Sequence, residues 1–286
     1  MKSLPIFYSQ QMVSKVMSFS PSAYKPAAVI DSWQRLEIPL TLNTVIPVSK
    51  ALIKIAHSSE YVDGVFAGII KNGFRNNDVA VAESCRYTIA GMLAAAENAL
   101  QTKLVAIAPV AGFHHAAYEE AFGFCTFNGL MITAIHLKQR GLVDTLGILD
   151  LDVHEGDGTK EIIEKLALQD WIVHHSLGYA VEPIPENAES YLDRLPQVIT
   201  DMQHCDVILF QASADPHIDD PLGGFLTTDQ LKTRDRIVFE TCSRLKIPLA
   251  WNIAGGYQRD EHNSILPVLK LHDTTLIECA RVYIDK

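Results

Sequence analysis

The chain has 286 residues, of which 48% are hydrophobic, and its 34 acidic side chains outnumber the 24 basic ones, giving a net charge of −10. This length suits one large α/β domain or two small ones, and because no linker or repeat divides the chain we expect a single domain over residues 1–286. The acidic balance and the lack of a Lys/Arg cluster or a long apolar stretch argue against nucleic-acid binding, a secretory signal and a membrane span, and predict a cytoplasmic enzyme.

Strand and helix patterns alternate along the chain. Short apolar runs predict strands at residues 5–9, 104–110, 145–153, 171–176, 206–213 and 248–255. Apolar positions three and four residues apart predict helices at residues 81–100, 127–141, 159–169 and 227–245. The strands are continuously hydrophobic, which is typical of a mostly parallel α/β sheet with helices on both faces. Such sheets bind ligands beyond the carboxyl ends of their strands, where four of these strands are followed by polar residues.

Two adjacent histidines, His114 and His115, follow the predicted strand at 104–110 in a glycine-containing loop. An imidazole serves as a general base or acid when a carboxylate holds its tautomer. The natural partners in this sequence are Asp150 and Asp157. The alternative is that one histidine is a structural residue and the other is merely exposed.

Asp150, Asp152 and His154 lie two residues apart after an apolar run. Alternate side chains of an extended chain share one face, so we expect these three to project together from a strand end. Asp215, at the end of another predicted strand, is the best candidate to complete a metal site. With Asp152 and His154 it offers two carboxylates and one imidazole and leaves positions open for water and substrate, as catalytic zinc sites require.

Tyr257 follows two glycines, Gly255 and Gly256, after the last predicted strand. Glycine permits close backbone approach and unusual dihedral angles. A tyrosine hydroxyl aimed at a polarised carbonyl would stabilise a developing oxyanion. We therefore regard Tyr257 as a candidate catalytic residue, with a packed loop aromatic as the alternative.

Five motifs occur in a fixed order along the chain: GFHH, GFCTFN, DLDVHEGDGT, SADPHIDDPLGGF and AGGY. Together they resemble the zinc-dependent histone deacetylase family, including its bacterial amidohydrolase members, over most of the chain. An earlier segment, His57 to Tyr61, is similar to the family's His-x-x-x-Tyr segment near the active-site rim. The resemblance implies an arginase/deacetylase-like α/β fold.

The resemblance also implies roles for individual residues. A single zinc would be held by Asp152, His154 and Asp215. The remaining functional residues would be the tandem imidazoles His114 and His115 with their carboxylates Asp150 and Asp157, the phenol of Tyr257, and a narrow acyl channel formed by Gly123, Phe124, Gly255 and Gly256.

The reaction implied by the resemblance is hydrolysis of an acyl amide by a metal-activated water. His115 would take the proton from this water with support from His114, and a protonated histidine would donate to the departing amine. An acylated lysine, an acylated polyamine and a small amide all remain open as substrates, as do Zn²⁺ and Fe²⁺ as the metal, and the oligomeric state. The resemblance further implies a structural K⁺ beneath Asp150, Asp152 and His154, near His174.

The sequence departs from the family pattern in three places. Glu155 stands where the family usually has a second histidine, which adds negative charge near the site. The loop at 177–185 lacks the family's Pro-Gly-Thr-Gly segment and its channel aromatic, so either Tyr179 forms that channel wall or it is an exposed loop residue. The family's early His-Pro-Glu segment is replaced by SPSAYKP at 20–26, so we expect a different rim.

Two other functions fit parts of the sequence. The Asp-x-His-x-Asp spacing at 215–219 resembles that of binuclear manganese ureohydrolases, but in those enzymes this motif precedes the Asp-x-Asp motif, whereas here it follows Asp150 and Asp152. A catalytically impaired acyl-ligand binding module is the second alternative. It is disfavoured because every expected metal ligand, both imidazoles and the phenol are present.

Overall fold

The computed structural model describes residues 1–284 and contains one seven-stranded sheet in which every strand pair is parallel. Its order is β2-β1-β3-β7-β6-β4-β5, so β3, β7, β6 and β4 lie next to one another inside the sheet. The strands are β1 Leu4–Phe7, β2 Leu40–Asn43, β3 Val105–Ala108, β4 Leu146–Asp150, β5 Ile172–Ser176, β6 Val207–Ser213 and β7 Leu249–Ala254. The predicted mostly parallel sheet is confirmed.

Helices cover both faces of the sheet, because the crossover between two parallel strands passes over one face or the other. They are α1 Lys25–Trp33, α2 Lys50–Ile53, α3 Ser59–Phe66, α4 Val79–Thr102, α5 Gly129–Gln139, α6 Asp157–Lys165, α7 Leu177–Ala180, α8 Ala188–Asp201, α9 Thr228–Leu245 and α10 Leu266–Tyr283. Helices α1, α8, α9 and α10 pack into one hydrophobic core, and α3, α4, α5 and α6 into the other. Within β4, Leu149 belongs to the first core and Ile148 to the second, which explains why the strand is apolar throughout.

The predicted strand at 145–153 is shorter in the structure and ends at Asp150. Leu151 still donates its amide to Gln211, but the amide of Asp152 donates to the carboxylate of Asp150 instead of to a neighbouring strand. This local side-chain bond competes with the sheet ladder and turns the chain into a loop. The expectation that strand alternation orients Asp152 and His154 is therefore wrong.

Some elements lie outside the patterns found in the sequence. Strand β2 has only four residues, pairs only with β1 at the sheet edge, and leaves Leu42 half exposed. Helix α10 buries His272 and Glu278, and these polar residues interrupt its apolar spacing. Within residues 1–284, no helix has both the length and the apolar character needed to cross a bilayer.

Candidate active site

Loops at the carboxyl ends of four central strands meet at one edge of the sheet. They follow β3, β4, β6 and β7 and carry the histidine pair, the Asp-x-His motif, Asp215 and Tyr257 respectively. In open parallel sheets this edge is where ligands bind. Because the four strands are neighbours in the sheet, residues far apart in sequence, such as His154 and Asp215, come close together.

Asp152, His154 and Asp215 form a group of three potential metal ligands, with one ligand atom of each lying within 4.8 Å of the others. Nδ1 of His154 lies 3.0 Å from Oδ1 of Asp152 and 3.2 Å from Oδ2 of Asp215. These two carboxylates raise the pKa of His154 to about 11. The three side chains thus create a place that attracts a cation.

The surroundings of this group suit a divalent metal ion. Nε2 of His154 lies 3.1 Å from the carbonyl oxygen of Leu222, which assigns the proton to Nε2 and directs Nδ1 toward the carboxylates. The Ser213 hydroxyl is within hydrogen-bond distance of both Asp152 and Asp215. Oδ2 of Asp215 is buried and accepts no hydrogen bond from residues 1–284, and such an atom needs a positive partner. Two acids and one imidazole with an unsatisfied oxygen fit a catalytic metal site.

Asp150 is turned away from the potential metal ligands and supports them instead. Its Oδ2 accepts from Nδ1 of His114 at 2.8 Å, and its Oδ1 accepts from Gln211 and from the amide of Asp152. The carboxylate is fully buried, with each oxygen satisfied. Asp150 is thus placed as the orienting partner expected from the sequence, and Gln211 is a further neighbour that the motifs did not reveal.

The two histidines are held as two separate imidazole–carboxylate pairs. Nδ1 of His115 lies 2.7 Å from Oδ1 of Asp157, the first residue of α6, and Nδ1 of His114 contacts Asp150. Burial lowers the pKa of His114, but Asp150 and Asp152 outweigh burial and raise it to about 9. Asp157 engages Nδ1 of His115 and leaves its Nε2 available as an acceptor.

Tyr257 is buried beside the same group, and its phenol is flanked by two aromatic rings. Its centroid lies 5.8 Å from that of Phe124 and 5.9 Å from that of Phe19. It lines a small cavity together with His114 and Asp152. Burial and the nearby carboxylates raise the pKa of Tyr257, so the hydroxyl keeps its proton and can donate a hydrogen bond.

Three of the four predicted channel residues line this cavity. Gly123, Phe124 and Gly255 line it. Gly255 has φ +48°, and a Cβ there would collide with the carboxylate of Asp215, so only glycine allows this close approach. Phe124 adopts φ +66°, a strained conformation for a bulky residue and one that clusters at functional sites. Gly256, with φ +86°, packs instead on Val268 and Ala214.

Lys25 is a site neighbour that sequence reasoning missed. Its side chain is fully buried and its Nζ donates to the carbonyl oxygen of Gly255. Burial lowers its pKa to about 8, although Asp215 and Asp152 act in the opposite direction. Lys25 lies in the SPSAYKP segment, whose only notable feature in the sequence is that the family's His-Pro-Glu motif is absent there. A buried lysine cannot be recognised from its sequence position.

The segment from His57 to Tyr61 lies behind the channel loop and not at its rim. Nδ1 of His57 contacts the carbonyl oxygen of Ala117 at 2.9 Å, and its Nε2 accepts from the amide of Asn128. The hydroxyl of Tyr61 donates to the carbonyl oxygen of Thr126. These bonds hold both ends of the loop that carries Gly123 and Phe124.

The residues that depart from the family pattern lie at different places around the site. Glu155 is exposed, and burial together with the charge of Glu155 raises the pKa of Tyr179. Tyr179 is half exposed, with Nζ of Lys160 5.4 Å from its ring centroid, and it lines a cleft with His174 instead of the cavity beside Tyr257. The structure therefore favours an exposed loop aromatic over a channel wall. Gly178 lies so close to the backbone of His154 that a Cβ would overlap it.

A second metal site of the ureohydrolase kind is not assembled within residues 1–284. His217 turns away from Asp215 and contacts Thr228 through Nε2 and Gln258 through Nδ1. The side chain of Asp219 is largely exposed and points toward solvent. The Asp-x-His-x-Asp spacing thus contributes only Asp215 to the cation group.

Comparisons with known proteins agree with this geometry. Residues 22–177, more than half of the chain, match the model of the histone deacetylase domain. An uncharacterised protein of Picosynechococcus sp. is 28% identical over 243 residues, which cover 78% of this chain and 81% of that protein. A probable deacetylase of Methanothermobacter thermautotrophicus is 34% identical over 115 residues, 38% of this chain and 35% of that protein.

Two solved structures have the same fold. The HD domain of HDA15 superimposes with a TM-score of 0.76 at 17% identity, covering 99% of this chain and 89% of that one. An acetylpolyamine aminohydrolase from Burkholderia pseudomallei gives a TM-score of 0.74 at 15% identity, covering 98% and 99% of the two chains. Because both identities are below 25%, these matches show a shared fold and no more.

Proposed function

Because this chain belongs to the histone deacetylase family and is a deacetylase-type hydrolase of amide bonds, we propose that it is a metal-dependent enzyme that removes an acyl group from an acylated amine. The substrate would be an acylated lysine, an acylated polyamine or a small amide. The observation that carries the proposal is the convergence of Asp152, His154 and Asp215 beside two imidazole–carboxylate pairs.

Asp152, His154 and Asp215 would hold the metal ion. When bound there, a divalent cation supplies a Lewis acid that polarises the acyl carbonyl and makes an attacking water more acidic. Zn²⁺ is our first choice and Fe²⁺ the second, because two carboxylates and an imidazole suit both ions. We also propose that a structural K⁺ binds near His174.

His115 is the proposed general base. Its Nδ1 is engaged by Asp157, so its Nε2 is free to take a proton from the attacking water. Burial lowers the pKa of His114, but Asp150 and Asp152 raise it and favour the charged imidazole, which would stabilise negative charge in the cavity that His114 lines with Tyr257. The protonated imidazole of His115 then donates to the departing amine.

Tyr257 is the proposed donor to the developing oxyanion. Its phenol keeps its proton and lines the same cavity as His114 and Asp152. A buried, fixed hydroxyl of this kind stabilises the transition state more than the bound substrate, because negative charge on the carbonyl oxygen appears only in the transition state. Gly255 contributes by letting this loop approach the carboxylate of Asp215.

The test is a hydrolysis assay with protein stripped of metal and then reloaded separately with Zn²⁺, Fe²⁺ or Mn²⁺, with and without K⁺. Acetyl-lysine, an acetyl-lysine peptide and N-acetylputrescine serve as substrates, and release of acetate and free amine is measured. The proposal expects activity that returns with one equivalent of Zn²⁺ or Fe²⁺ and is lost in Asp215→Asn. Activity on guanidino compounds with two Mn²⁺ ions, or retained ligand binding with no turnover, would refute it.

A further inference from the structure

The mouth of the candidate active site is surrounded by large apolar side chains that remain exposed. Phe19 is 51% exposed, Phe122 48% and Leu222 42%. Each belongs to a different loop, and each touches a site residue. Such a collection of exposed apolar groups marks a binding surface.

Phe19 is the most directly placed of these residues. Its ring stacks on that of Tyr257 with an interplanar angle of 11° and a centroid separation of 5.9 Å. One face of the Phe19 ring therefore covers the candidate catalytic phenol, while its remaining surface is available to a ligand. The segment carrying Phe19 is the one in which the family's His-Pro-Glu motif is missing.

Although this segment has no regular secondary structure between Val13 and Tyr24, it is firmly held. The amide of Ser14 donates to the carbonyl oxygen of Ala23 and closes the segment at its base. Arg259, just beyond Tyr257, donates from Nη2 to the carbonyl oxygen of Phe19 at 3.1 Å. The position of Phe19 is thus coupled to the loop that carries the phenol.

The opposite side of the mouth also carries exposed apolar residues that contact site histidines. Phe122 meets the His115 ring edge to face at 5.5 Å, and Leu222 accepts a hydrogen bond from His154 through its carbonyl oxygen. Asp157 is engaged by His115, whereas Glu120 and Glu161 line the cleft beside Phe122. Phe19, Phe122 and Leu222 therefore supply the apolar part of a mouth that also carries acidic groups.

Resting on the proposed deacetylase function, we propose that Phe19 is a specificity-determining residue and that the preferred substrates are acyl amides whose amine carries an aromatic or branched apolar group. This group would stack on the outer face of Phe19 and pack against Phe122. An aromatic pair of this kind changes affinity about five- to tenfold beyond simple burial. Extended amines without an apolar group, such as an acylated diamine, would leave this surface uncovered.

The experiment compares N-acetyl-2-phenylethylamine, N-acetylputrescine and Nε-acetyl-lysine as substrates of the metal-loaded protein. We expect kcat/KM to be at least about tenfold higher for the phenylethyl amide. Phe19→Ala should remove about five- to tenfold of this preference through KM, and Phe19→Leu should remove less. Ile46→Ala, an exposed apolar residue outside the site, is the matched control and should leave the preference unchanged.

The two proposals fail in different ways. Absence of hydrolysis of every amide by the metal-loaded protein would overturn the deacetylase function, and the Phe19 proposal would fall with it. Hydrolysis with equal kcat/KM on all three amides, or an equal loss on all three in Phe19→Ala, would overturn only the role of Phe19. A thermal melt of each variant identifies a loss that arises from unfolding, and Phe19→Leu, which keeps an apolar side chain, then decides the outcome.

Discussion

The backbone amide of Tyr257 donates a hydrogen bond of 2.8 Å to Oδ2 of Asp220, which lies in the loop after β6. The other oxygen of this buried carboxylate accepts from the amide of Leu222. Asp220 thereby joins the loop that carries Asp215 to the loop that carries the phenol. Burial raises its pKa to about 7, which shows how little solvent reaches this junction.

Removing the side chain of Asp220 should impair turnover more than substrate binding. In Asp220→Ala we expect kcat to fall about 10- to 100-fold with little change in KM, because a small displacement of a catalytic group is costly. Steady-state kinetics on an acetyl amide checks this. Asp219→Ala, a change at the exposed neighbour, is the control, and a wild-type kcat in Asp220→Ala would contradict the expectation.

Tyr257→Phe should keep the aromatic contacts and lose only the hydroxyl. We expect kcat to fall about 100- to 1000-fold, the typical effect of losing one oxyanion donor, while substrate affinity changes much less. The measurement is kcat together with the dissociation constant of an unreacted substrate analogue. Tyr179→Phe is the matched control at the exposed tyrosine. Equal losses of affinity and rate, or no loss at all, would count against the role assigned to Tyr257.

Asp157→Asn should act through His115. The amide side chain cannot hold the imidazole as the carboxylate does at 2.7 Å, so we expect activity to fall about 10- to 100-fold. A pH–rate profile should show the acidic limb, which reports a general base, displaced as well as the maximum lowered. Glu155→Gln, an exposed acid two residues away, is the control. An unchanged profile in Asp157→Asn would show that this pair is only structural.

Metal removal should lower thermal stability even where no activity is measured. A cation present at about 100 to 1000 times its Kd stabilises the folded chain by about 3 to 4 kcal/mol, enough to move Tm by several degrees. Differential scanning calorimetry of stripped and Zn²⁺-loaded protein tests this. Asp215→Asn should abolish the shift. Identical melting temperatures with and without Zn²⁺ would argue against binding by Asp152, His154 and Asp215.

Acid should destabilise the protein through His57. Burial lowers its pKa to about 4, so between about pH 6.5 and pH 4 the unfolded chain binds a proton that the folded chain does not. Stability is then lost as pH falls through this window, by about 1.4 kcal/mol per pH unit at most for one such group. Urea unfolding at a series of pH values should show a shallower slope in His57→Gln. His262→Gln, at an exposed histidine, should leave the slope unchanged.

The sequence motifs were sufficient to predict the carboxyl-edge cluster, because each motif is contiguous and follows a strand. Asp152, His154 and Asp215 come together as expected, and His114 and His115 have the carboxylate partners proposed for them. The reason given for the metal ligands was nevertheless wrong. β4 ends at Asp150, and hydrogen bonds to side chains, not strand alternation, orient the residues that follow.

The residues that were missed share one property: their role depends on long-range packing. Lys25, Phe19 and Asp220 contact the loop after β7 from positions that are distant in sequence. Lys25 and Phe19 belong to no motif, and Asp220 lies within SADPHIDDPLGGF but has no role assigned from the sequence. A lysine or aspartate read alone is expected at the surface. Such residues become recognisable only when the neighbouring loops are placed in space.

The contact between Gly178 and the backbone of His154 joins the most divergent loop of the site to its most constrained residue. The chain has no room for a side chain at Gly178, in α7. Val181 and the loop residues after it do not line the cavity beside Tyr257. Evolution, or a protein engineer, could therefore exchange the distal half of this loop to alter the outer surface. Gly178 would have to be kept, because a side chain there would overlap the backbone of His154, whose imidazole faces the two carboxylates.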